Sequence, residues 1–472
     1  MNYISTRGRA PVLGFEDVLL AGLARDGGLY VPEIWPVLSA DTIAELAGRP
    51  FAEVAVEVIH PFTGGALTRA ELLAMADAAY ASFGHPAVTP LVQIDTRTFV
   101  LELFHGPTLA FKDVAMQLLA RLMDHVLAKR GRRATIVGAT SGDTGGAAIE
   151  AFRSSSRVDV VVLFPDGRVS DVQRRMMTTP TEAGVQAVAV KGTFDDCQAL
   201  VKAMFNDHAF RDRVGLSGVN SINWGRIVAQ VTYYFVAAVA LGAPHRRIAF
   251  SVPTGNFGDI FAGYVARRMG LPIDVLVIGT NQNDILPRTL ATGVYEMRGV
   301  VATSSPSMDI QISSNFERYL FEAAGRDADL VARQMQMLAQ GRRFELSAEQ
   351  TAAVRRDFAA GAADETAVAE TIRETLARSG YLLDPHSACG VFAARAALDG
   401  PGLEGVVRVI LATAHPAKFP DALEAITGSR PRLPVRLSSL MTDKERYRVL
   451  ANDLKDVEDF VASVTRAAGG AA

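Results

Sequence analysis

Short apolar runs and helix-like segments alternate through most of the chain. Runs with the length and composition of buried strands occur at residues 98–104, 134–138, 158–164, 185–190, 247–252, 273–278 and 406–412. The segments between them carry apolar residues at helical spacing, and in residues 114–127 these stand at positions 115, 118, 119, 122 and 126. Alternation of this kind predicts an α/β fold in which parallel sheets are covered by helices on both faces.

The two ends of the chain have a different pattern. Residues 1–85 are predicted to be mostly helical, with helix starts at Ser39 and at Thr68, where Glu71 completes a capping box. Residues 343–380 are charged and are also predicted to be helical. We expect four parts: an N-terminal helical region (1–85), a smaller α/β domain (86–225), a larger α/β domain (226–430) and a C-terminal helical extension (431–472).

The composition excludes several classes of protein. The 472 residues are 49% hydrophobic and 21% charged with a net charge of −3, so no basic field points to nucleic acid or to an anionic membrane. The most apolar segment, 227–243, is interrupted by Gln230 and predicts a buried helix instead of a membrane span.

Cys197 and Cys389 cannot build a disulfide framework, and the N-terminus lacks a signal-peptide core, so we expect a cytoplasmic protein. No His or Cys pair has zinc spacing, and we expect no metal.

One lysine stands where a predicted strand turns into a predicted helix. The sequence His-Gly-Pro-Thr-Leu-Ala-Phe-Lys-Asp occupies residues 105–113, and no formal charge lies between His105 and Lys112. Apolar surroundings disfavour the ammonium form of a lysine and leave it available as an amine nucleophile. The alternative is a lysine that only extends its side chain from a helix start to solvent.

Parallel sheets bind ligands beyond the carboxyl ends of their strands, where loops lead into helices. The loop after residues 134–138 contains Ser141, Gly142, Asp143 and Thr144 and opens a helix. The unpaired N–H groups and the positive dipole end of a helix start suit a carboxylate or a phosphate. A simple helix cap by Ser141 or Asp143 is the alternative.

A second glycine-containing turn follows the predicted strand at 247–252, and it consists of Gly255, Asn256, Phe257 and Gly258. Glycine lets backbone N–H groups approach phosphate oxygens closely. The turn is neither a Walker A loop nor a Gly-x-Gly-x-x-Gly loop. This favours the phosphate of a cofactor smaller than a dinucleotide over a bare turn.

Two other loops carry polar residues that a ligand can use. The loop after the last predicted strand begins with Thr413 and continues to His415, for which a structural imidazole is the favoured interpretation. A serine-rich loop includes Asn315 and Arg318, which we expect to bind a phosphorylated or carboxylated substrate, since arginine grips such groups with two parallel bonds. The alternative is a solvated helix pair of Glu317 and Arg318.

The ordered set of motifs resembles the threonine synthase family, in its longer microbial and fungal form, within the fold-type II pyridoxal-phosphate enzymes. The resemblance runs nearly from end to end, with blocks in the family's order and spacing at residues 26–33, 105–113, 138–145, 220–226, 252–259, 308–318 and 413–419. Enzymes of this type hold the cofactor between two domains. The resemblance therefore implies that residues 86–225 lie on the substrate side and that residues 226–430 bind the cofactor phosphate.

The resemblance also implies roles for individual residues. Lys112 would carry pyridoxal 5′-phosphate as a Schiff base, and Thr413 would meet its pyridine nitrogen. The cofactor phosphate would be cradled by Gly255, Asn256, Phe257 and Gly258, and the substrate carboxylate by Ser141, Gly142, Asp143 and Thr144. The wider superfamily usually has asparagine at the position of Asp143, near the ring hydroxyl of the cofactor, whereas the long threonine synthases tend to carry aspartate. The contact made by Asp143 is left open.

The implied reaction converts O-phospho-L-homoserine and water into L-threonine and phosphate, by γ-elimination and β-addition of water, as the last step of threonine biosynthesis. The alternatives are a related phospholyase or serine/threonine dehydratase, and a non-catalytic cofactor-binding protein. We expect a small-molecule substrate, no nucleic-acid or membrane partner, and a monomer, with a homodimer as the alternative.

Overall fold

The chain folds into two large sheets and two small ones. The computed structural model describes residues 1–400, 403 and 405–467. Its strands are β1 (Tyr3–Ser5), β2 (Tyr30–Pro32), β3 (Leu91–Gln93), β4 (Thr98–Glu102), β5 (Ala134–Ala139), β6 (Val158–Pro165), β7 (Val185–Val190), β8 (Leu216–Ser217), β9 (Ile248–Pro253), β10 (Ile273–Thr280), β11 (Val294–Glu296), β12 (Arg343–Glu345), β13 (Phe358–Ala362), β14 (Val407–Ala412) and β15 (Arg448–Leu450).

Helices connect and cover the strands. They are α1 (Phe15–Ala21), α2 (Ala40–Ala44), α3 (Phe51–Thr63), α4 (Arg69–Tyr80), α5 (Lys112–Lys129), α6 (Asp143–Phe152), α7 (Asp171–Thr178), α8 (Phe194–Asn206), α9 (His208–Val214), α10 (Trp224–Ala240), α11 (Gly258–Arg268), α12 (Ile285–Thr292), α13 (Phe316–Ala323), α14 (Ala328–Gly341), α15 (Ala348–Asp357), α16 (Glu365–Ser379), α17 (Pro385–Leu398), α18 (Pro420–Thr427) and α19 (Leu454–Val464). Short 3₁₀ turns lie at Pro306–Met308, Pro416–Lys418 and Val435–Leu437.

The two large sheets are almost entirely parallel. The six-stranded sheet has the order β13-β10-β9-β14-β4-β3, and only β3 runs antiparallel to its neighbour. The five-stranded sheet has the order β15-β7-β6-β5-β8 and is parallel throughout. The pairs β1–β2 and β11–β12 are antiparallel. The predicted α/β class with parallel sheets is confirmed.

The strongest sequence patterns correspond to observed elements. All seven predicted strands are present, and β7 matches residues 185–190 at both ends. Helix α5 includes the predicted segment 114–127, and its five regularly spaced apolar residues are buried. The predicted capping box forms at Thr68 and Glu71.

The prediction for residues 343–380 was wrong in two places. Residues 343–345 form β12, and residues 358–362 form β13, the edge strand that pairs in parallel with β10. The β13 sequence Phe-Ala-Ala-Gly-Ala has little strand propensity of its own. Its structure follows from pairing with β10 and from the close packing of α17 over Gly361, which is tertiary context that a local pattern does not contain.

The predicted domain boundaries do not follow the sheets. Strands β3 and β4 lie within the predicted smaller domain of residues 86–225 but belong to the six-stranded sheet. Near the other end, β15 adds a strand to the five-stranded sheet, so the C-terminal extension is not purely helical. Chain order therefore does not separate the two sheets. Residues 468–472 of that extension lie outside the described residues.

The N-terminal region packs against α10, which is buried along nearly its whole length as predicted for 227–243. The indole of Trp224 lies among the rings of Tyr3, Trp35 and Phe62, with centroid separations of 5.7–6.1 Å. The first 85 residues thus share their core with the helices next to the site. Within the part of the chain that the structure describes, no helix is long and apolar enough to cross a membrane.

Helix α17 lies unusually close to the six-stranded sheet. A Cβ added to Gly279 in β10 would lie 2.9 Å from the carbonyl oxygen of Cys389, and one added to Gly361 would lie 2.9 Å from the Cα of Ala393. Glycine at both places allows the helix and sheet backbones to touch. This approach positions the N-terminus of α17, which contacts the turn at residues 306–308.

The substitution Gly279→Ala tests this packing. We expect it to lower the free energy of unfolding by about 1–3 kcal/mol, because the added methyl group meets backbone that cannot move aside. Urea unfolding followed by tryptophan fluorescence measures the change. The matched control is Gly299→Ala, where the added Cβ has no neighbour within 4 Å. Equal stability of the two variants would contradict the close packing.

Candidate active site

Lys112 is the first residue of α5 and lies beyond the carboxyl end of β4. The carboxylate of Asp113 accepts hydrogen bonds from the backbone N–H and the hydroxyl of Thr108, both at 2.7 Å. A Cβ added to Gly106 would lie 2.4 Å from the Cβ of Asp113, so only glycine fits there. The backbone on both sides of the lysine is therefore fixed by the loop itself.

The amine of Lys112 is buried beside one carboxylate. Its Nζ lies 3.3 Å from Oδ2 of Asp143 and 4.9 Å from the centroid of the Phe111 ring. Burial lowers the pKa of Lys112, Asp143 opposes that shift, and the charges of Lys418 and Arg226 add to it, so the net shift is downward. The predicted poorly solvated lysine is present, and its neutral, nucleophilic form is favoured.

Asp143 is the first residue of α6 and the place where loops from the two sheets meet. Its Oδ1 accepts a hydrogen bond from Gln173 at 2.7 Å and lies 2.6 Å from the Nζ of Lys418. Its Oδ2 accepts from Lys112 and, at 3.4 Å, from the hydroxyl of Ser307. Burial would raise the pKa of Asp143, but the two lysine charges and the hydrogen bonds outweigh it and hold that pKa well below its usual range.

The structure thus adds three residues that had no assigned role in the sequence prediction: Gln173, Ser307 and Lys418. Lys418 follows Thr413 in the same motif, and this proximity is the sequence feature that could have indicated its role. Gln173 and Ser307 lie in α7 and in a 3₁₀ turn, and nothing in their local sequence indicates the contact with Asp143.

The loop between β5 and α6 leaves backbone donors available to a ligand. The hydroxyl of Thr140 accepts a hydrogen bond from the N–H of Gly142 at 2.9 Å, and Gly142 has a φ of +139°, which glycine adopts at little cost. Among the described residues, none accepts a hydrogen bond from the N–H groups of Ser141, Asp143 or Thr144. These donors stand at the positive end of α6 and suit a carboxylate.

The loop between β9 and α11 offers a second set of donors. No described residue accepts a hydrogen bond from the N–H groups of residues 255–259. Phe257 has a φ of +62°, and its ring packs edge-on against Phe316 and Phe358. A Cβ added to Gly255 would lie 2.9 Å from the carbonyl oxygen of Ser307. The predicted phosphate loop is therefore a tight turn, held by its neighbours, at the N-terminus of α11.

Arg318 is expected to bind substrate, and in the structure its guanidinium group contacts protein acceptors. Its Nε donates to the carbonyl of Tyr30 at 3.0 Å, its Nη2 donates to the carbonyl of Ile222 at 2.6 Å, and its Nη1 donates to the side chain of Asn315. The side chain has no exposed surface, and burial lowers its pKa to about 9. Because all three guanidinium nitrogens already serve protein acceptors, Arg318 ties loops together. The alternative of a solvated pair with Glu317 is wrong, since both residues are buried.

Asn315 likewise contacts protein groups next to the site. Its N–H donates to the carbonyl of Asn256 at 3.0 Å, and its side-chain amide donates to the carbonyl of Ser221 at 3.1 Å. It also accepts the bond from Arg318 and has no exposed surface. Asn315 therefore holds the β9–α11 turn in place through protein contacts, and its expected contact with substrate stays a prediction.

Arg226, near the start of α10, is a buried cation that the sequence prediction left without a role. Its Nη1 donates to the carbonyl of Val219 at 3.4 Å, and its buried Nε has no partner within the described residues. Burial lowers the pKa of Arg226 to about 10, and its charge reaches Lys112. A buried guanidinium with unused donors is costly unless an anion binds to it. The polar stretch at residues 221–226 is the sequence feature that could have indicated a role for Arg226.

Thr413 follows β14 in a loop that runs alongside the loop of Lys112. Its carbonyl accepts a hydrogen bond from the N–H of Phe111 at 2.8 Å. The residue is buried, yet its hydroxyl has no hydrogen-bond partner within the described part of the chain. Its backbone thus adjoins the residue that precedes Lys112, and a hydroxyl without a partner among the described residues suits the ring nitrogen of a cofactor. His415 accepts from the N–H of Ala417 at 3.1 Å, and burial lowers its pKa to about 4, so it is a neutral structural imidazole.

These parts are joined through the turn at Ser307. The backbone of Ser307 touches Gly255, its hydroxyl reaches Asp143, and Asp143 reaches Lys112. A buried amine, a turn with free N–H groups and a free hydroxyl fit a cofactor with an aldehyde, a phosphate and a ring nitrogen. Across residues 1–400, 403 and 405–467, no group of His, Cys, Asp and Glu side chains could hold a metal ion.

A cavity of about 1010 Å³ runs along β5, from Arg133 before the strand to Thr140 and Thr144 in the β5–α6 loop after it. Its Lys and Arg residues are Arg25, Arg132, Arg133, Lys202 and Arg211, and Asp212 is the acidic residue among the described lining. Although the whole chain has a net charge of −3, the lining of this cavity is basic. Such a field attracts an anionic small molecule.

Models of three known protein families match successive parts of the chain. Residues 2–80 match the threonine synthase N terminus, residues 83–413 match the pyridoxal-phosphate dependent enzymes, and residues 387–461 match the C-terminal part of threonine synthase. The three matches together span almost the whole chain in the order expected for one enzyme.

Relatives and solved structures agree with these matches. The chain is 51% identical over 463 residues to a threonine synthase of Pseudomonas aeruginosa, with 98% of each protein covered. It is 39% identical to that of Saccharomyces cerevisiae over 494 residues, covering 97% of the chain and 96% of the relative. A crystal structure of pyridoxal-phosphate-bound threonine synthase from Brucella melitensis is similar with a TM-score of 0.96 and 60% identity, covering 99% of the chain and 100% of that structure.

The substitution Arg318→Met distinguishes a structural role from a ligand-binding role. It leaves the carbonyl groups of Tyr30 and Ile222 and the amide of Asn315 without a donor. We expect the free energy of unfolding to fall by about 3 kcal/mol or more, since each buried unsatisfied acceptor costs about 1–3 kcal/mol.

Urea unfolding measures this loss. The matched control is Arg343→Met, which removes an exposed pair with Glu345 and should cost less than about 1 kcal/mol. If Arg318→Met were as stable as the parent protein but bound substrate poorly, the structural role would be wrong.

Proposed function

The chain belongs to the threonine synthase family of pyridoxal-phosphate enzymes, and from this premise we propose that it converts O-phospho-L-homoserine and water into L-threonine and phosphate. The observation that carries the proposal is the buried amine of Lys112, together with two helix starts whose first N–H groups have no acceptor among the described residues. One helix start suits the phosphate of the cofactor, and the other suits the carboxylate of an amino acid.

The residues that would hold the cofactor follow from their chemistry. We assign Lys112 to its aldehyde carbon, the N–H groups of residues 255–258 to its phosphate, and the hydroxyl of Thr413 to its ring nitrogen. When bound, pyridoxal phosphate supplies an electron sink for negative charge that develops on substrate carbons. The protein's task is then to orient the substrate and to move protons.

Lys112 is the group that moves protons. Its neutral amine, favoured by burial, can take the proton from Cα of the substrate and later return a proton to the same carbon. The N–H groups of Ser141, Asp143 and Thr144 hold the substrate carboxylate and so direct Cα towards the amine. The buried position keeps bulk water from competing for the proton.

Arg226 replaces Asn315 and Arg318 as our candidate for gripping the substrate phosphate. It is buried, has unused donors, and its charge reaches Lys112. A fixed guanidinium stabilises the charge of a departing phosphate without reorganisation. The basic walls of the cavity along β5 support the same reading, because they draw a doubly anionic substrate inwards.

The oligomeric state and compartment are further proposals. We infer a monomer, with a homodimer as the alternative, and light scattering coupled to size exclusion distinguishes them. We infer a cytoplasmic location because Cys197 and Cys389 are both free thiols, which agrees with a reducing environment.

The substitution Lys112→Ala tests the central assignment. We expect it to abolish formation of threonine and phosphate from O-phospho-L-homoserine and to remove the visible absorbance of the covalently attached cofactor. The control is Lys455→Ala, which changes an exposed lysine on α19. An active Lys112→Ala protein would contradict the assignment, and a keto acid with ammonia as products of the parent protein would favour a lyase of the alternative type.

The substitution Arg226→Gln tests the phosphate contact. We expect the KM for O-phospho-L-homoserine to rise about ten- to a hundredfold, since charge-assisted hydrogen bonds contribute about 1.5–3 kcal/mol. Inhibition by L-homoserine, which lacks the phosphate, is the internal control and should change little. Equal weakening of both compounds would show that Arg226 shapes the site without touching the phosphate.

A further inference from the structure

Lys418 is a second buried lysine in the site, and the mechanism above gives it no role. It ends the 3₁₀ turn Pro416–Lys418 after β14, and its side chain is 1% exposed. Its Nζ lies 2.6 Å from Oδ1 of Asp143 and donates to the carbonyl of Thr108 at 2.9 Å. It therefore joins three loops: its own, the loop before α5, and the loop before α6, which comes from the other sheet.

One carboxylate thus faces two lysines. Lys418 approaches Asp143 to 2.6 Å, whereas Lys112 approaches its other oxygen only to 3.3 Å. Lys418 has a second acceptor in the carbonyl of Thr108, while Asp143 is the acceptor that the structure's described residues provide for Lys112. A single buried negative charge cannot compensate two ammonium ions, because an uncompensated buried charge is strongly disfavoured. The shorter contact identifies Lys418 as the ammonium ion.

The other charged groups around Lys112 and Lys418 also support Lys418 as the ammonium ion. Arg226 faces Lys112 from α10 with a further positive charge. Asp259 faces it from α11, but burial raises the pKa of Asp259 to about 7 despite hydrogen bonds from two tyrosine hydroxyls. On the side of Lys418, burial likewise raises the pKa of Asp113 to about 6. Asp143 is therefore the strongest negative charge that the two lysines share.

We propose that Lys418 is a positioning residue that holds the Asp143 carboxylate and thereby leaves Lys112 as a neutral amine. The inference deepens the proposed function and rests on its assignment of Lys112 as the amine that takes up the cofactor. The positive charge of Lys418 partly cancels the field that the Asp143 carboxylate exerts on Lys112. Without Lys418, the full charge of Asp143 would act on Lys112 and favour its ammonium form.

Attachment of pyridoxal 5′-phosphate to the cofactor-free, full-length protein reports the state of Lys112. The lone pair of a neutral amine attacks the aldehyde carbon, a carbon–nitrogen double bond forms, and the aldehyde oxygen leaves with two protons as water. An ammonium ion has no lone pair for this attack. The attachment rate is measured against pH, and borohydride reduction with peptide mapping identifies the modified lysine. Ionisation of the free cofactor in solution is the same for every variant and cancels in the comparison.

Four variants separate the charge of Lys418 from its bulk. In Lys418→Met, the pH midpoint of attachment should rise by about one unit, which lowers the rate near neutral pH about tenfold. Lys418→Arg keeps the charge and should keep the midpoint of the parent protein. The double variant Lys418→Met with Asp143→Asn removes both charges and should restore that midpoint. Lys455→Met, on the exposed face of α19, is the control and should change nothing.

An unchanged midpoint in Lys418→Met would overturn the inference. So would a raised midpoint that persists in the double variant, because Lys418 would then act by packing and not through Asp143. If Lys418→Met does not fold, Asp143→Asn alone decides: its midpoint should stay level or fall, and a rise refutes the idea. A protein that shows all the expected shifts yet makes no threonine would refute the proposed function and leave this inference intact.

Discussion

The site depends on one buried carboxylate that is contacted from both large sheets. Asp143 starts a helix of the five-stranded sheet, while Lys112 and Lys418 approach it from loops of the six-stranded sheet and Ser307 approaches it from the 3₁₀ turn that follows β11. Burial of a lone carboxylate is costly, and the charge of Lys418 together with the hydrogen bonds from Lys112 and Gln173 offsets that cost. The same contacts join the two sheets. They therefore determine both the charge balance of the site and the relative position of the sheets.

The parallel α/β fold explains why so few elements suffice to build the site. In each large sheet one strand leads into a turn that opens a helix, α6 in one and α11 in the other, and each turn leaves backbone donors for which the described part of the chain supplies no acceptor. These donors need no charged side chains to attract an anion. The charged residues can therefore serve other purposes. Arg318 is an example, since its guanidinium group donates to the carbonyl groups of Tyr30 and Ile222 and to the side chain of Asn315.

Much of the fold could be predicted because buried strands and amphipathic helices leave a local periodic signal. The same holds for Lys112 and the two turns, since each directly follows a strand and the fold then determines where it lies. Strands such as β13 and β15 carry no such signal, because their pairing partners decide their structure. Arg318 and Arg226 show a second limit. Both stand in polar stretches, and only the folded chain reveals that Arg318 is satisfied by protein acceptors and Arg226 is not. The link between Asp143 and Lys418 joins residues that are far apart in the chain, and no local pattern contains it.

A crystal structure of the protein with pyridoxal 5′-phosphate tests this account most directly, because two buried lysines flank Asp143 and only one should carry the cofactor. We expect continuous electron density from the cofactor to the Nζ of Lys112, its phosphate on the N–H groups of residues 255–258, and Lys418 still paired with Asp143. Density that instead joins the cofactor to Lys418, or a phosphate bound away from the β9–α11 turn, would contradict it.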